Sequence, residues 1–218
     1  AWLPVSVGRI TDFQTLEDVW TSPAARAIQQ DVDSKKFSHC AVNRCGIMHG
    51  NNLLTEYTVY INIDPSCNLA CPSCRKDLIM LNSGPEYELK LSRVKHLVKL
   101  LEEFDQPCHI IMSGNGDPLA SAIMRPLVHE FKPKPNQTFR LFTNGLLLEK
   151  QLEKSAIVPN ITQYFISIDA GSKDVYEKVR LGGSWQVLLK NFDYLKSVVA
   201  NTGASVLLKF VLQSDNWH

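Results

Sequence analysis

The chain has 218 residues, 44% of them hydrophobic and 21% charged, which is typical of a globular protein large enough for one substantial core. A formal net charge of +1, with no basic stripe and no apolar stretch near the roughly 20 residues that span a bilayer, argues against nucleic-acid and membrane partners. Six cysteines without a secretory leader predict a reducing, cytoplasmic location.

Residues 1–55 form a first, cysteine-bearing segment that differs from the rest of the chain. Ser22 followed by Pro23 predicts the start of a short helix, because serine caps a helix N-terminus and proline suits the first helical position. Cys40 and Cys45 then lie in a stretch without clear periodicity, which is typical of a loop or a metal-binding knuckle. The chain begins without an initiator methionine, and we expect it to be part of a longer protein.

Residues 56–218 predict an α/β core, because short β-rich runs alternate with segments of helical spacing. Such alternation predicts parallel strands with helices on the outer face. The carboxyl ends of parallel strands share one rim, so the polar turns that follow the strands are expected to build one composite site. The predicted strands are Tyr57–Asp64, His109–Ser113, Thr138–Thr143, Tyr164–Asp169 and Ser205–Leu212.

Three cysteines, Cys67, Cys71 and Cys74, follow the first predicted strand within eight residues. Three thiolates on one short loop can hold three irons of a cubane cluster and leave the fourth iron open for chemistry. A disulfide framework does not fit three neighbouring cysteines. The alternatives that remain are a structural zinc site, closed by a second pair such as Cys40 and Cys45, and unligated structural thiols.

Several motifs, taken in chain order, resemble the radical S-adenosylmethionine (SAM) superfamily. They are Cys67-x-x-x-Cys71-x-x-Cys74 after the first strand, Asn115-Gly116-Asp117-Pro118 after the second, and Ser167-Ile168-Asp169 at the end of the fourth. The resemblance covers residues 57–218. It implies a partial (β/α) barrel of parallel strands with outer helices, in which five of the family's usual six strands are present and the C-terminal part is incomplete.

The resemblance also implies roles for individual residues. Cys67, Cys71 and Cys74 would ligate a [4Fe-4S] cluster whose open iron binds SAM. Asp117 would hold the SAM amino group, and Arg180 would pair with its carboxylate. Ser167 and Asp169 would contact the ribose. The full set of implied SAM-binding residues is Gly114, Asn115, Gly116, Asp117, Asn144, Ser167, Asp169 and Arg180, with Asn216 as a weaker candidate for the adenosine end.

Each of these side chains also has a purely structural interpretation. Asp117 lies in a Gly-Asp-Pro sequence that is typical of an ordinary turn. Ser167 and Asp169 suit the N-cap of the following helix, and Arg180 suits a solvated helix end. Cys108 precedes an apolar strand, and we expect it to be a small buried apolar residue.

Residues 1–55 resemble the SPASM/twitch extension of peptide-modifying radical SAM enzymes. The resemblance is carried by Leu16-Glu17-Asp18-Val19-Trp20, Ser22-Pro23-Ala24, Arg26 and the later pair Cys40 and Cys45. The two cysteines would supply half of an auxiliary iron–sulfur cluster. Taken together, the resemblances imply reductive cleavage of SAM to a 5′-deoxyadenosyl radical that abstracts hydrogen from a peptide or protein, with flavodoxin or ferredoxin as electron donor. The reaction would be of oxidoreductase or transferase type. Two alternatives stay open: the same chemistry on a small metabolite or sugar, and a non-catalytic iron–sulfur electron-transfer or binding module.

Overall fold

The computed structural model describes residues 5–39 and 57–217 of the chain. Within these residues, five strands form one sheet in the order β1 to β5, and every neighbouring pair is parallel. The strands are β1 (Tyr57–Ile61), β2 (Cys108–Met112), β3 (Gln137–Thr143), β4 (Ile161–Ser167) and β5 (Ser205–Lys209). The predicted α/β fold of parallel strands with outer helices is therefore confirmed.

Six α-helices lie within the described residues: α1 (Leu16–Thr21), α2 (Pro23–Asp33), α3 (Pro85–Glu103), α4 (Leu148–Leu152), α5 (Lys173–Val179) and α6 (Trp185–Thr202). The predicted start of α2 is confirmed, because the Ser22 hydroxyl accepts the Ala25 N–H at 3.2 Å. Helix α6 runs from its predicted cap, Ser184, to Gly203, whose left-handed φ of 73° ends the helix. In this part of the chain, no helix has both the length and the apolar character needed to cross a membrane.

The hydrophobic core lies between one face of the sheet and the outer helices. Ile110, Phe139 and Ile166 from the strands are fully buried there, as is Leu101 of α3, and Leu195 of α6 is 3% exposed. Because strand side chains alternate between the two faces, every second residue of β2, β3 and β4 enters this core. The packing fixes the strands in register and so fixes where each strand ends.

The other side of the sheet, here called the inner face, is more open. Its exposed side chains include Tyr60 at 71% and Leu207 at 47%. The strand registers place the following residues on this face: Thr58, Tyr60, His109, Ile111, Thr138, Arg140, Phe142, Gln163, Phe165, Ser167, Ser205, Leu207 and Lys209. The inner face leads directly to the rim where the strands end.

Four of the predicted strand runs extend beyond the strands that form, by one residue for β2, two for β4 and three for β1 and β5. Strand β1 ends at Ile61, and the Asp64 carboxylate then accepts the Ser66 N–H at 3.1 Å, which turns the chain into a loop. After β5, the Val211 N–H donates to the Asp169 carboxylate at 2.8 Å instead of continuing a ladder. Side-chain acceptors thus replace the backbone acceptors that longer strands would need.

The N-terminal helices pack onto the same core. Leu16 is 3% exposed within it, and the Trp20 ring stacks on Phe104 with centroids 5.9 Å apart. Cys40 and Cys45 lie outside the described residues. The division of the chain at residue 55 and the resemblance of the first part to a SPASM element stay predictions.

Candidate functional site

A cavity of about 730 Å³ opens at the rim where the carboxyl ends of the parallel strands meet. This is the composite rim that the sequence predicts. The predicted site residues that line the cavity are Cys67, Cys71, Cys74, Gly114, Asn115, Gly116, Asp117, Asn144, Ser167 and Arg180. Asp169 and Asn216 are not among its lining residues, and they contact the site only through neighbouring groups.

The cysteine loop is anchored at both of its ends. Asp64 accepts hydrogen bonds from the N–H and the hydroxyl of Ser66, at 3.1 and 3.0 Å. The same hydroxyl accepts the Leu81 N–H at 2.8 Å, where the chain leaves the loop. The Cys67 N–H donates to the Ile79 carbonyl at 2.9 Å. These bonds close residues 66–81 into a loop whose first cysteine has a fixed backbone position.

The three cysteines of the loop are free thiols in graded environments: Cys67 is half-buried, Cys71 is buried and Cys74 is exposed. Leu69 and Tyr176 pack around Cys71 in a small apolar cluster. Burial raises the pKa of the Cys67 thiol above its ordinary value. Within residues 5–39 and 57–217, no three His, Cys, Asp or Glu side chains converge on one point as the ligands of a single ion would. A cubane cluster binds each cysteine through a different iron.

Each cysteine sulfur of the loop accepts an N–H group from a different side chain. Asn144 Nδ2 lies 3.8 Å from Cys67 Sγ, Arg180 Nη1 lies 3.7 Å from Cys71 Sγ, and Arg75 Nη2 lies 3.7 Å from Cys74 Sγ. Two of the three donors are guanidinium groups, whose positive charge stabilises negative charge on a sulfur atom. Hydrogen bonds to the sulfurs and the net charge of the surroundings are two of the factors that set the reduction potential of an iron–sulfur cluster.

The turn after β2 lies directly against the start of the cysteine loop. The Asp117 N–H donates to the Ser66 carbonyl at 2.8 Å, and the Arg75 guanidinium donates to the Asn115 carbonyl. A Cβ atom on Gly116 would lie only 2.1 Å from the Ser66 oxygen. Glycine is therefore required here by the close approach of two backbone segments.

The carboxylate of Asp117 is buried and largely satisfied within the chain. It accepts the Leu119 N–H at 2.9 Å, the Thr143 hydroxyl at 2.8 Å and the Asn144 N–H at 2.6 Å. Burial raises the pKa of this carboxyl group above its usual value, and these hydrogen bonds oppose the rise. Asp117 thus connects the turn after β2 to the end of β3 through hydrogen bonds.

Arg180 forms a nearly buried ion pair with Asp169, with Nη2 and Oδ2 2.7 Å apart and the two side chains 12% and 6% exposed. The alternative of a solvated helix end is therefore wrong for Arg180, because tertiary packing encloses the guanidinium. Its Nε is buried without a hydrogen-bond partner among the described residues. The predicted pairing of Arg180 with the SAM carboxylate stays a prediction, and the structure adds that this guanidinium already has a carboxylate partner.

Asp169 and Asn216 together fasten the end of β4 to the segment after β5. Asn216 Nδ2 donates to the carbonyls of Asp169 and Val211, at 2.9 and 2.8 Å, and its Oδ1 accepts the Gln213 N–H at 2.6 Å. The amide of Asn216 is thus occupied by backbone groups. The alternative of Asp169 as a helix cap is wrong, because its Oδ1 accepts the Val211 N–H and α5 begins only after Ser172.

Sequence reasoning missed Arg75 and Lys209, which both line the cavity. Arg75 directly follows the third cysteine, and Lys209 is the only charged residue in an otherwise apolar strand run, so each carried a signal in the sequence. The prediction for Cys108 is confirmed: it is 1% exposed, and burial raises the pKa of its thiol to about 11.

Comparison with known proteins found curated relatives of two kinds. A protein from Methanococcus maripaludis, described as a probable GTP 3′,8-cyclase, is 26% identical over 133 residues, which cover 61% of this chain and 43% of the relative. A tRNA 4-demethylwyosine synthase from Pyrococcus horikoshii, described as dependent on S-adenosyl-L-methionine, is 27% identical over 125 residues, which cover 55% of this chain and 35% of that enzyme. The chain spans less than half the length of either relative.

Among solved structures, Streptococcus suis SuiB bound to S-adenosylmethionine matches 88% of this chain and 47% of its own chain, with a TM-score of 0.45 and 16% identity. The family model of the Radical SAM superfamily matches residues 61–215, which is more than half of the chain and includes the cysteine loop and the whole rim. The chain therefore belongs to the radical SAM superfamily.

Proposed function

We propose that this chain is the core of an enzyme that holds a [4Fe-4S] cluster and SAM, the two groups that its superfamily uses, in the rim cavity. When bound, the cluster supplies one electron that cleaves SAM to methionine and a 5′-deoxyadenosyl radical, which abstracts hydrogen from the substrate. The protein's own task in this chemistry is to bind, to orient and to exclude water.

One observation carries the proposal: three free cysteines of a single anchored loop line the cavity, and each sulfur has its own N–H donor. A structural thiol needs no such donor, whereas an iron-bound thiolate bears negative charge that the donors stabilise. The donor set therefore fits cluster ligation by Cys67, Cys71 and Cys74. The buried and unpartnered Nε of Arg180 supports the same reading, because a buried donor without an acceptor is unfavourable.

The chain's residues would divide the work of holding the two groups. Arg75 and Arg180 would offset the negative charge of the thiolates, and Asn144 would fix the position of Cys67 through its amide. The apolar packing of Leu69 and Tyr176 around Cys71 would keep water from the inner side of the cluster.

The turn after β2 would bind the amino group of SAM. The carboxylate of Asp117 is held in place by hydrogen bonds within the chain, and Asp117 lines the cavity together with the neighbouring Gly114, Asn115 and Gly116. An ammonium group suits a buried carboxylate, because the charges compensate each other away from water. Ser167 presents a hydroxyl at the rim that suits a ribose hydroxyl.

The proposal also covers the substrate and the electron donor. A peptide or protein substrate is implied by the resemblance of residues 1–55 to a SPASM element, and the two cysteines of that resemblance, Cys40 and Cys45, lie outside the described residues. We keep this substrate class as a prediction, together with an electron donor such as flavodoxin or ferredoxin. Exposed Cys74 gives such a donor a short path to the cluster.

The test uses anaerobically reconstituted protein, with iron and sulfide counted and 5′-deoxyadenosine measured after addition of SAM and dithionite. We expect the wild type to bind a cluster and to form 5′-deoxyadenosine, and Cys71→Ala to lose both. Cys108→Ala is the matched control, because Cys108 is a buried thiol away from the cavity. A smaller amount of iron that remains in Cys71→Ala and is lost when Cys40 and Cys45 are also replaced by alanine would report an auxiliary cluster at those two cysteines.

Two results would overturn the proposal. If Cys71→Ala and Cys108→Ala bind the same amount of iron as the wild type, the cysteine loop is not the cluster site. If the wild type binds a cluster and forms no 5′-deoxyadenosine, the chain is a non-catalytic iron–sulfur module.

A further inference from the structure

Lys209 is a cation at the rim that none of the assigned roles uses. It ends β5 next to Ser167 of β4, and its side chain lines the same cavity as the three cysteines. The flanking residues of its strand run are apolar, so the sequence puts a single charge where a strand favours apolar packing. Lys209 is exposed, so its charge is accessible to a ligand that enters the cavity.

Two aromatic rings hold the Lys209 ammonium in place without neutralising it. Nζ lies 4.6 Å from the centroid of the Phe142 ring and 5.3 Å from that of Phe165. The two rings stack on each other with centroids 4.1 Å apart and planes within 5°. Cation–π contacts attract an ammonium through the ring quadrupole, but the rings carry no net charge. The two rings thus hold the Lys209 ammonium in position, and its positive charge can still attract an anion.

The other charged groups of the cavity are already committed to partners. Arg180 pairs with Asp169 at 2.7 Å, and Arg75 donates to the Pro65 carbonyl at 2.6 Å and to a second carbonyl. Asp117 accepts three hydrogen bonds within the chain. Among the described residues, no carboxylate pairs with Lys209. Within the part of the chain that the structure describes, the Lys209 ammonium donates no hydrogen bond, so an anionic ligand in the cavity would meet it as the cation whose N–H donors are all unused.

The charged residues of the inner face also favour an anionic ligand. None of the described strand residues on this face is Asp or Glu, whereas Arg140 and Lys209 are both on it. Arg140 also has no carboxylate partner among the described residues. A surface whose charged strand residues are all positive attracts anions and repels cations.

We propose that Lys209 is the anion-binding residue of the cavity, and that its ligand is a carboxylate or phosphate group. This inference rests on the proposed function, because the cavity is the one that would hold SAM and substrate. Two molecules could bring such a group there: SAM through its own carboxylate, which Arg180 is less free to bind, or a substrate that carries a carboxylate or a phosphate. Arg140 would extend the site along the inner face.

The test measures ligand binding to the reconstituted full chain by equilibrium dialysis. The probes are S-adenosylhomocysteine, which has the amino-acid carboxylate, 5′-methylthioadenosine, which lacks it, and tripolyphosphate. The variants are Lys209→Met, Lys209→Gln and Lys209→Arg. Lys196→Met, at an exposed site on α6, is the matched control for loss of a lysine charge. Iron content and melting temperature establish that each variant is folded.

Loss of a charged hydrogen bond should weaken binding about tenfold or more. If SAM provides the anion, Lys209→Met and Lys209→Gln weaken the binding of S-adenosylhomocysteine and leave the binding of 5′-methylthioadenosine unchanged. If the substrate provides it, both variants lose tripolyphosphate binding and keep S-adenosylhomocysteine. In either case Lys209→Arg should retain most of the affinity, because it keeps the charge.

The inference is wrong if neither S-adenosylhomocysteine nor tripolyphosphate binds less tightly to the Lys209 variants, or if Lys196→Met has the same effect. The wild type provides a check that needs no variant: its affinity for the responsive anion should fall with added salt, whereas 5′-methylthioadenosine binding should not. Because binding is measured without turnover, a wild type that forms no 5′-deoxyadenosine would refute the proposed function while the binding comparison still tests Lys209.

Discussion

Replacement of Gly116 by alanine tests how closely the turn after β2 must approach the cysteine loop. An added Cβ would lie 2.1 Å from the Ser66 carbonyl oxygen and 2.7 Å from the Pro65 carbonyl carbon, both of them backbone atoms. Real Cβ contacts are no shorter than 3.0 Å, so the loop must retreat by about 0.9 Å. That movement starts one residue before Cys67, the first predicted ligand of the cluster.

The energetic effect has two parts. Overpacking of this kind costs about 1–3 kcal/mol. The Ser66 carbonyl also accepts the Asp117 N–H at 2.8 Å, and its displacement weakens a hydrogen bond that contributes about 1 kcal/mol. We therefore expect Gly116→Ala to lower the free energy of unfolding by roughly 2–4 kcal/mol. A 1 Å displacement of a reacting group can slow catalysis about a hundredfold, and we expect a similar loss in 5′-deoxyadenosine formation.

Gly171→Ala is the matched control for this experiment. Gly171 is also on the rim side of the sheet, an added Cβ there meets nothing within 4 Å, and its φ is not positive. Its free energy of unfolding should change by less than about 1 kcal/mol. The assays are urea unfolding of the apo protein and iron and sulfide counts after anaerobic reconstitution. If Gly116→Ala matches Gly171→Ala in unfolding midpoint and iron content, the close approach does not position the loop.

Two further predictions concern the thiols and the buried ion pair. At pH 8, iodoacetamide should alkylate the apo protein fastest at exposed Cys74 and more slowly at Cys67, because burial raises the pKa of that thiol. Cys108 should react last, because its pKa of about 11 keeps the reactive thiolate scarce. Site-resolved mass spectrometry measures the order, and equal rates at Cys74 and Cys108 would refute it. Arg180→Met should destabilise the protein by about 3 kcal/mol in urea unfolding, because it leaves the Asp169 carboxylate buried without its cationic partner, and adding Asp169→Asn should recover part of that loss. A single variant as stable as the wild type would show that the pair does not stabilise the fold.

Much of the fold could be predicted because its signals are local. Ser22 with Pro23 and Ser184 with Gly203 mark helix ends through bonds that reach three or four residues, and the structure forms both helices there. The strands are recognisable by short apolar runs, and their alternation with helices predicts that they are parallel to one another. The strand ends were less predictable, because the hydrogen bonds that end β1 and β5 come from the side chains of Asp64 and Asp169.

The sequence alone determined the cysteine loop, the parallel direction of the strands and the rim on which most of the predicted site residues meet. The spacing of the three cysteines within one loop does not depend on how the rest of the chain folds. The carboxyl ends of parallel strands lie at the same edge of the sheet. Only the tertiary structure decided which side chains contact the sulfurs. Arg180 lies 109 residues from Cys71 along the chain, and it reaches that sulfur because Asp169 holds the guanidinium in place. Such contacts depend on the packing of distant segments, which local spacing does not encode.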